Sequence, residues 1–124
     1  MEYLIATDSV HTTAAACDYL EPRLGSDDTV AVVTVPGEDD RDGDDALNVA
    51  TARLLGRAEV ETERLETKTD PAEAILAAAA DRSPDVLVIG PHTGVPDAGP
   101  SLGNTARTVL EGADRPVVVV PLSL

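Results

Sequence analysis

The residues that could do chemistry gather in a few short loops. The longest runs from Gly90 to Ala106 (GPHTGVPDAGPSLGNTA), is rich in Gly and Pro, and reaches no Lys or Arg until Arg107. Such a loop can cradle phosphate groups, because glycines let backbone N–H groups approach phosphate oxygens and a following helix aims its N-terminal dipole at them. It can equally be a long connection between a strand and a helix. Ser9, Ser101 and Cys17 are potential nucleophiles, but no base can be paired with any of them, and turn or helix roles account for both serines. His11 and His92, the two histidines of the chain, are expected in loops beside Asp8. Two imidazoles and a carboxylate would suit Zn²⁺ or a similar ion and a metal-dependent hydrolase, whereas solvated loop histidines are the ordinary outcome.

The elements that must position these groups alternate regularly. Strands are expected at Tyr3–Thr7, Thr29–Val35, Val60–Leu65, Asp85–Gly90 and Arg115–Pro121, all but the third mostly apolar, as strands covered on both faces should be. Val60–Leu65 runs Val-Glu-Thr-Glu-Arg-Leu, as expected of an edge strand with one wetter face. Helices are expected at Thr12–Leu24, with Ala16, Cys17, Leu20 and Leu24 on one face, and near Asp44–Leu55, closed by Gly56. A third begins at Asp70-Pro71-Ala72-Glu73, with an acceptor at the N-cap, Pro at the first helical position and Glu three residues after the cap. Its apolar stripe is Ile75, Leu76 and Ala79. A fourth is expected at Asn104–Gly112. The order βαβαβαβαβ implies one α/β unit spanning 1–124, a parallel sheet with helices on both faces.

Open parallel sheets bind ligands beyond the carboxyl ends of their strands, where strand order reverses. The loops available for that are Asp8-Ser9-Val10-His11, Pro36-Gly37, Thr67-Lys68-Thr69 and Gly90 to Gly103. No G-x-G-x-x-G follows the first strand and no P-loop ending in Gly-Lys-Ser/Thr is present, which disfavours hydride transfer and P-loop phosphoryl transfer.

Composition narrows the setting. The 124 residues include 23 acidic and 9 basic ones, a net charge of −14, and Lys68 is the only lysine. That surface repels nucleic acid and anionic lipid, so neither is an expected partner. We read the acid excess as adaptation to a salt-rich cytoplasm, since at about 1 M salt the Debye length is roughly 3 Å and self-repulsion is screened. No apolar run approaches a membrane span and the first residues lack the regions of a signal peptide, so a cytoplasmic location is expected. With no Phe or Trp, the core must be aliphatic. The lone Cys17 can form no intramolecular disulfide and should be buried as a small apolar residue.

Three stretches together resemble the universal stress protein family over essentially the whole chain. They are Leu4-Ile5-Ala6-Thr7-Asp8, Thr69-Asp70-Pro71-Ala72-Glu73-Ala74-Ile75, and Asp85 to Pro121. The resemblance implies a Rossmann-like, adenine nucleotide alpha hydrolase-like fold with strand order 3-2-1-4-5 and its switch point between strands 1 and 4. It implies a stress-response protein binding ATP or AMP, with or without Mg²⁺, as a dimeric switch acting through a further, unidentified protein partner. Any ATP hydrolysis would be slow and incidental, so the protein is not expected to be an enzyme. By the same resemblance the adenine rests against Val35, and Ala6 and Asp8 border the ribose and metal–phosphate region. Gly90, Gly94, Gly103, Asn104 and Thr105 face the phosphates. Asp8 has a rival reading as the N-cap of the first helix.

In nucleotide-binding members the loop reads G-x2-G-x9-G-[ST]. Here Gly90 and Gly103 keep the outer spacing, Thr93 stands at the middle glycine with Gly94 one residue later, and Asn104 replaces Ser/Thr. The alternative is therefore a dimeric scaffold of the same fold without nucleotide. Homodimers of the family often pair through the last strand, and Val117 to Val120 is a flat apolar edge that such pairing would cover.

Overall fold

The valine-rich run beginning at Thr29 buries both of its faces: Val30 and Val32 enter one apolar cluster and Val33 the other. A strand with two dry faces belongs inside a sheet covered on both sides, and the whole chain is built that way. The computed structural model describes residues 1–35, 40–65, 70–91 and 102–121, with 40–42 as helix backbone only. Its elements are β1 (Glu2–Thr7), α1 (Val10–Leu20), β2 (Thr29–Thr34), α2 (Asp40–Leu54), β3 (Glu59–Arg64), α3 (Pro71–Arg82), β4 (Val86–Ile89), α4 (Asn104–Gly112) and β5 (Val117–Val119).

All five strands are parallel, in the order β3-β2-β1-β4-β5. Register places Leu4 beside Ala31 and Leu87, and Ile5 beside Val32 and Val88, so the three central strands share their buried rows. Tyr3, Ile5, Val30, Val32 and Val88 meet Ala16, Cys17 and Leu20 of α1 and Leu47, Ala50 and Leu54 of α2. On the other face Leu4, Ala6, Val33, Leu87 and Ile89 meet Ala72, Ile75 and Ala79 of α3 and Ala106 and Val109 of α4. Leu4, Ile5, Leu20, Leu54 and Leu87 are wholly enclosed, and burying each such side chain contributes about 1.5–3 kcal/mol. β3 is the wet edge: Glu59, Glu61, Thr62, Glu63 and Arg64 are exposed and Val60 is half-buried.

Most elements differ from the sequence expectation by a residue or two at an end, and the larger differences have local reasons. α1 starts at Val10, because Ser9 is its N-cap and accepts a hydrogen bond from the Thr12 amide. The Asp8 cap reading is thereby corrected, and so is the loop position of His11, which lies in the first turn of α1 with its side chain exposed. α1 ends at Leu20, although Leu24 still packs against the core. α2 begins at Asp40, four residues before Asp44, within a segment too polar to show a helical period. β5 is only Val117–Val119, since its partner β4 spans four residues and Pro116 and Pro121 on either side have no N–H for the ladder. β3 is shifted by one residue to Glu59–Arg64, while α3 begins at Pro71 with Asp70 as its cap, as expected.

Candidate functional site

Where β1 and β4 part company with their helices on opposite faces, a cavity of about 420 Å³ opens at their carboxyl ends. Its floor is made by Ala6 and Thr7 closing β1, Ile89 and Gly90 closing β4, and Val35 just beyond β2. Its walls are the first turns of three helices: Asp8 and Thr12 at α1, Pro71 and Ile75 at α3, and Gly103, Asn104, Thr105, Ala106 and Val109 at α4.

The three helix starts are not equivalent. Ser9 caps α1, and the Asp70 carboxylate caps α3 by accepting from the Ala72 amide at 3.2 Å. α4 has Gly103 as its N-cap and, among the described residues, receives no side-chain cap. Its first intrahelical bond is Arg107 N–H to the Gly103 carbonyl at 3.1 Å, so the amides of its first turn have no partner within the helix. Gly103 also donates its own N–H to the Pro91 carbonyl at 2.7 Å, which ties the start of α4 to the end of β4. An uncapped helix start carries a partial positive charge and suits an anion.

Asp8 is exposed at the rim and is held by a chain of hydroxyls. Thr12 Oγ1 donates to Asp8 Oδ1 at 3.5 Å, and Ser9 Oγ donates to Thr12 Oγ1 at 3.2 Å. Beneath them Thr7 Oγ1 donates to the Ser9 carbonyl at 2.9 Å and lies 2.9 Å from Thr13 Oγ1. The strand-to-helix turn is thus fixed by a network of buried and part-buried hydrogen bonds.

Of the residues singled out in the sequence, Ala6, Asp8, Val35, Gly90, Gly103, Asn104 and Thr105 all line this one cavity. Gly94 and His92, like Ser101 and Lys68, lie outside the described residues. His11 is not among the lining residues, and among the described residues no group of three or more His, Cys, Asp or Glu is placed to hold a metal ion. Cys17 lies fully buried beneath α1, and burial pushes its thiol up to about 11, so it is inert near neutral pH. Sequence reasoning missed Thr7, Thr12, Pro71, Ile75, Ile89, Ala106 and Val109 as lining residues. Ile75 belongs to α3's apolar stripe, and periodicity cannot distinguish a residue that faces the core from one that also faces a cavity.

A model of the universal stress protein family matches residues 4–121, from β1 to just past β5. The chain belongs to the universal stress protein family. Among solved structures of similar fold, the hypothetical protein MJ0577 has a TM-score of 0.82 at 18% identity, over 99% of this chain and 96% of that one. The universal stress protein of Archaeoglobus fulgidus in complex with dAMP has a TM-score of 0.71 at 22% identity, over 97% of both chains. A family member from Arabidopsis thaliana, At3g01520 with AMP bound, has a TM-score of 0.73 at 15% identity, over 99% of this chain and 92% of that one. At these identities the property shared with this chain is the universal stress protein fold. No curated protein matches the chain. Among its described residues no helix is long and apolar enough to cross a membrane.

Proposed function

We propose that the cavity between β1 and β4 binds an adenine nucleotide, ATP or AMP, and that the protein is a stress-response nucleotide-binding switch rather than an enzyme. The observation that carries this reading is convergence: seven residues chosen from separate stretches of sequence line one cavity. The donor set fits the ligand. Val35, Ile75, Ile89 and Val109 offer an apolar bed for a purine, and the uncapped amides of α4 suit a phosphate. Two proteins of the same fold hold AMP or dAMP, which supports the choice of base. Asp8 would border the ribose and any Mg²⁺ that accompanies the phosphates.

The switch would act through a homodimer formed at the last strand, Val117 to Val120, with ligand altering what the dimer offers to a protein partner. The net charge of −14 supports a working environment of high salt, in the cytoplasm. The departures at Thr93 and Asn104 favour one rival, a dimeric scaffold that has lost its nucleotide.

Calorimetric titration with Mg-ATP and with AMP in about 1 M KCl, where self-repulsion is screened, separates the two. A saturable heat with a Kd on the order of micromolar, abolished by Gly103→Val, is the expected result. No heat from either nucleotide, in a sample shown to be folded, would leave the scaffold.

A further inference from the structure

The outer side of β3 is an open edge. Glu59 N–H donates to the Asp28 carbonyl at 3.2 Å, and Leu65 N–H, just past the strand, donates to the Thr34 carbonyl at 2.7 Å. Backbone groups alternate along a parallel ladder, so Glu59, Glu61 and Glu63 turn theirs toward β2, whereas Val60 and Thr62 turn N–H and C=O away from the sheet. Among the described residues nothing pairs with that outer side. An edge of six residues accepts a further strand unless its side chains refuse one.

The side chains select by charge. Register puts Glu61 in one row with Ala31 and Leu4, on the face covered by α3, and Glu59 and Glu63 flank it on that face. Arg82 at the end of α3 bonds Glu61 at 3.0 Å and Glu63 at 2.8 Å, while Glu59 has no ion pair among the described residues. At the foot of the row a groove of about 310 Å³ opens, with Glu2, Glu59, Glu61 and Arg82 around an apolar floor that includes Leu4 and Ala31. The other cations beside β3 serve the opposite face. Arg64 pairs with Asp44 of α2, and Arg57, in the turn before β3, reinforces Arg53 in holding the Glu21 carboxyl below its usual value. Segments 36–39 and 66–69, which follow β2 and β3 in the chain, add Glu38, Asp39, Glu66 and Lys68 by sequence, so the sign is unchanged.

We propose that the β3 edge takes up an extended basic segment of a partner protein as a sixth strand, with Lys or Arg at alternate positions facing Glu59, Glu61 and Glu63. Main-chain bonds to Val60 and Thr62 supply attachment, and the groove supplies selection. One basic side chain lays its aliphatic stem along the apolar floor and brings its charge to Glu2 and Glu59. The occupant is not a second copy, because no two of the nine basic residues of this chain stand two positions apart. The inference stands apart from the nucleotide reading, since β3 supplies no lining residue to the cavity between β1 and β4.

The test uses a labelled nine-residue peptide alternating Lys with Thr, and a control of identical composition with its lysines in one block. Each is titrated by fluorescence anisotropy against the whole protein in about 1 M KCl, where non-specific attraction is screened. The alternating peptide should bind with a Kd on the order of 100 μM or below, at least about tenfold more tightly than the control. Its binding should also slow hydrogen exchange at the Val60 and Thr62 amides, which charge attraction alone does not do. Thr62→Pro removes an outward donor without breaking a bond to β2, and should weaken binding at least about fivefold with the far-UV spectrum retained. Glu59→Gln combined with Glu61→Gln should weaken it by a similar factor, about fivefold. No binding of the alternating peptide, equal binding of the two peptides, or unchanged exchange at those amides would overturn the proposal. Full affinity in either variant would overturn it as well. The peptide comparison and the exchange are read on the wild type, so they decide the matter without the variants.

Discussion

Thr7 and Thr34 stand side by side in register at the carboxyl ends of β1 and β2, both more than nine-tenths buried, yet only one hydroxyl is satisfied. Thr7 bonds the Ser9 carbonyl and Thr13, whereas Thr34 Oγ1 has no hydrogen-bond partner among the described residues and packs against Gly43 of α2. A buried polar atom without a partner costs its desolvation, and an isosteric apolar replacement removes that cost.

Thr34→Val should therefore leave stability unchanged or raise it by up to about 1 kcal/mol, while Thr7→Val should lower it by about 1–2 kcal/mol. Urea denaturation of the two variants beside the wild type measures both. Equal losses would mean that the Thr34 hydroxyl has found a partner in solution.

Arg53 joins α2 to α1 through Asp18 at 2.7 Å and Glu21 at 2.8 Å. Its side-chain hydrogen bond and charge hold the Glu21 carboxyl below the usual carboxylate value. A depressed folded-state pKa contributes stability above the unfolded pKa and loses it as pH falls through the folded one. Between about pH 5 and 3, where free Glu titrates, the wild type should lose more of its Tm than Arg53→Gln does. Melting curves of both proteins across that range measure the difference, and parallel profiles would show the pair to be idle.

The proposed dimer has a backbone test. Val120 N–H and the Pro116 carbonyl bond β4, so by strand alternation the N–H of Val119 points away from the sheet. Val119→Pro removes that outward donor and should shift the mass in sedimentation equilibrium from dimer to monomer, with the far-UV spectrum retained. A wild type that sediments as a monomer, or a variant that stays dimeric, would take the interface off β5.

Much of this fold is legible in the order of residues, for physical reasons that differ by element. The valines of β2 need no context, because a β-branched run bounded by Asp28 on one side and Pro36 on the other has few alternatives. Asp70-Pro71 marks α3 because cap and first-turn chemistry are local. The start of α1 is harder: Asp8 and Ser9 are both good caps, and the exposed Val10 and His11 add no apolar period. Strand ends point only to candidate loops; Ala6, Val35 and Gly90 are named through the family resemblance, which assigns them to the nucleotide. Neither route names Thr12, since its place at the cavity depends on the hydroxyl chain from Ser9 to Asp8, which is a tertiary arrangement rather than a spacing.

The two margins of the sheet have unlike chemistry, and that sets a limit on growth. At β5 the margin is valine; at β3 it carries the exposed Glu59, Glu61 and Glu63, with Arg82 of α3 folded back onto two of them. A second copy pairing at the valine margin would leave glutamates at both outer borders of the joined sheet. A third copy would have to bring its own apolar or acidic margin against those carboxylates, which like-charge repulsion and unshed hydration oppose. If copies pair at β5 as proposed, polymerisation by edge addition would be self-terminating, with the acidic β3 border as its stop.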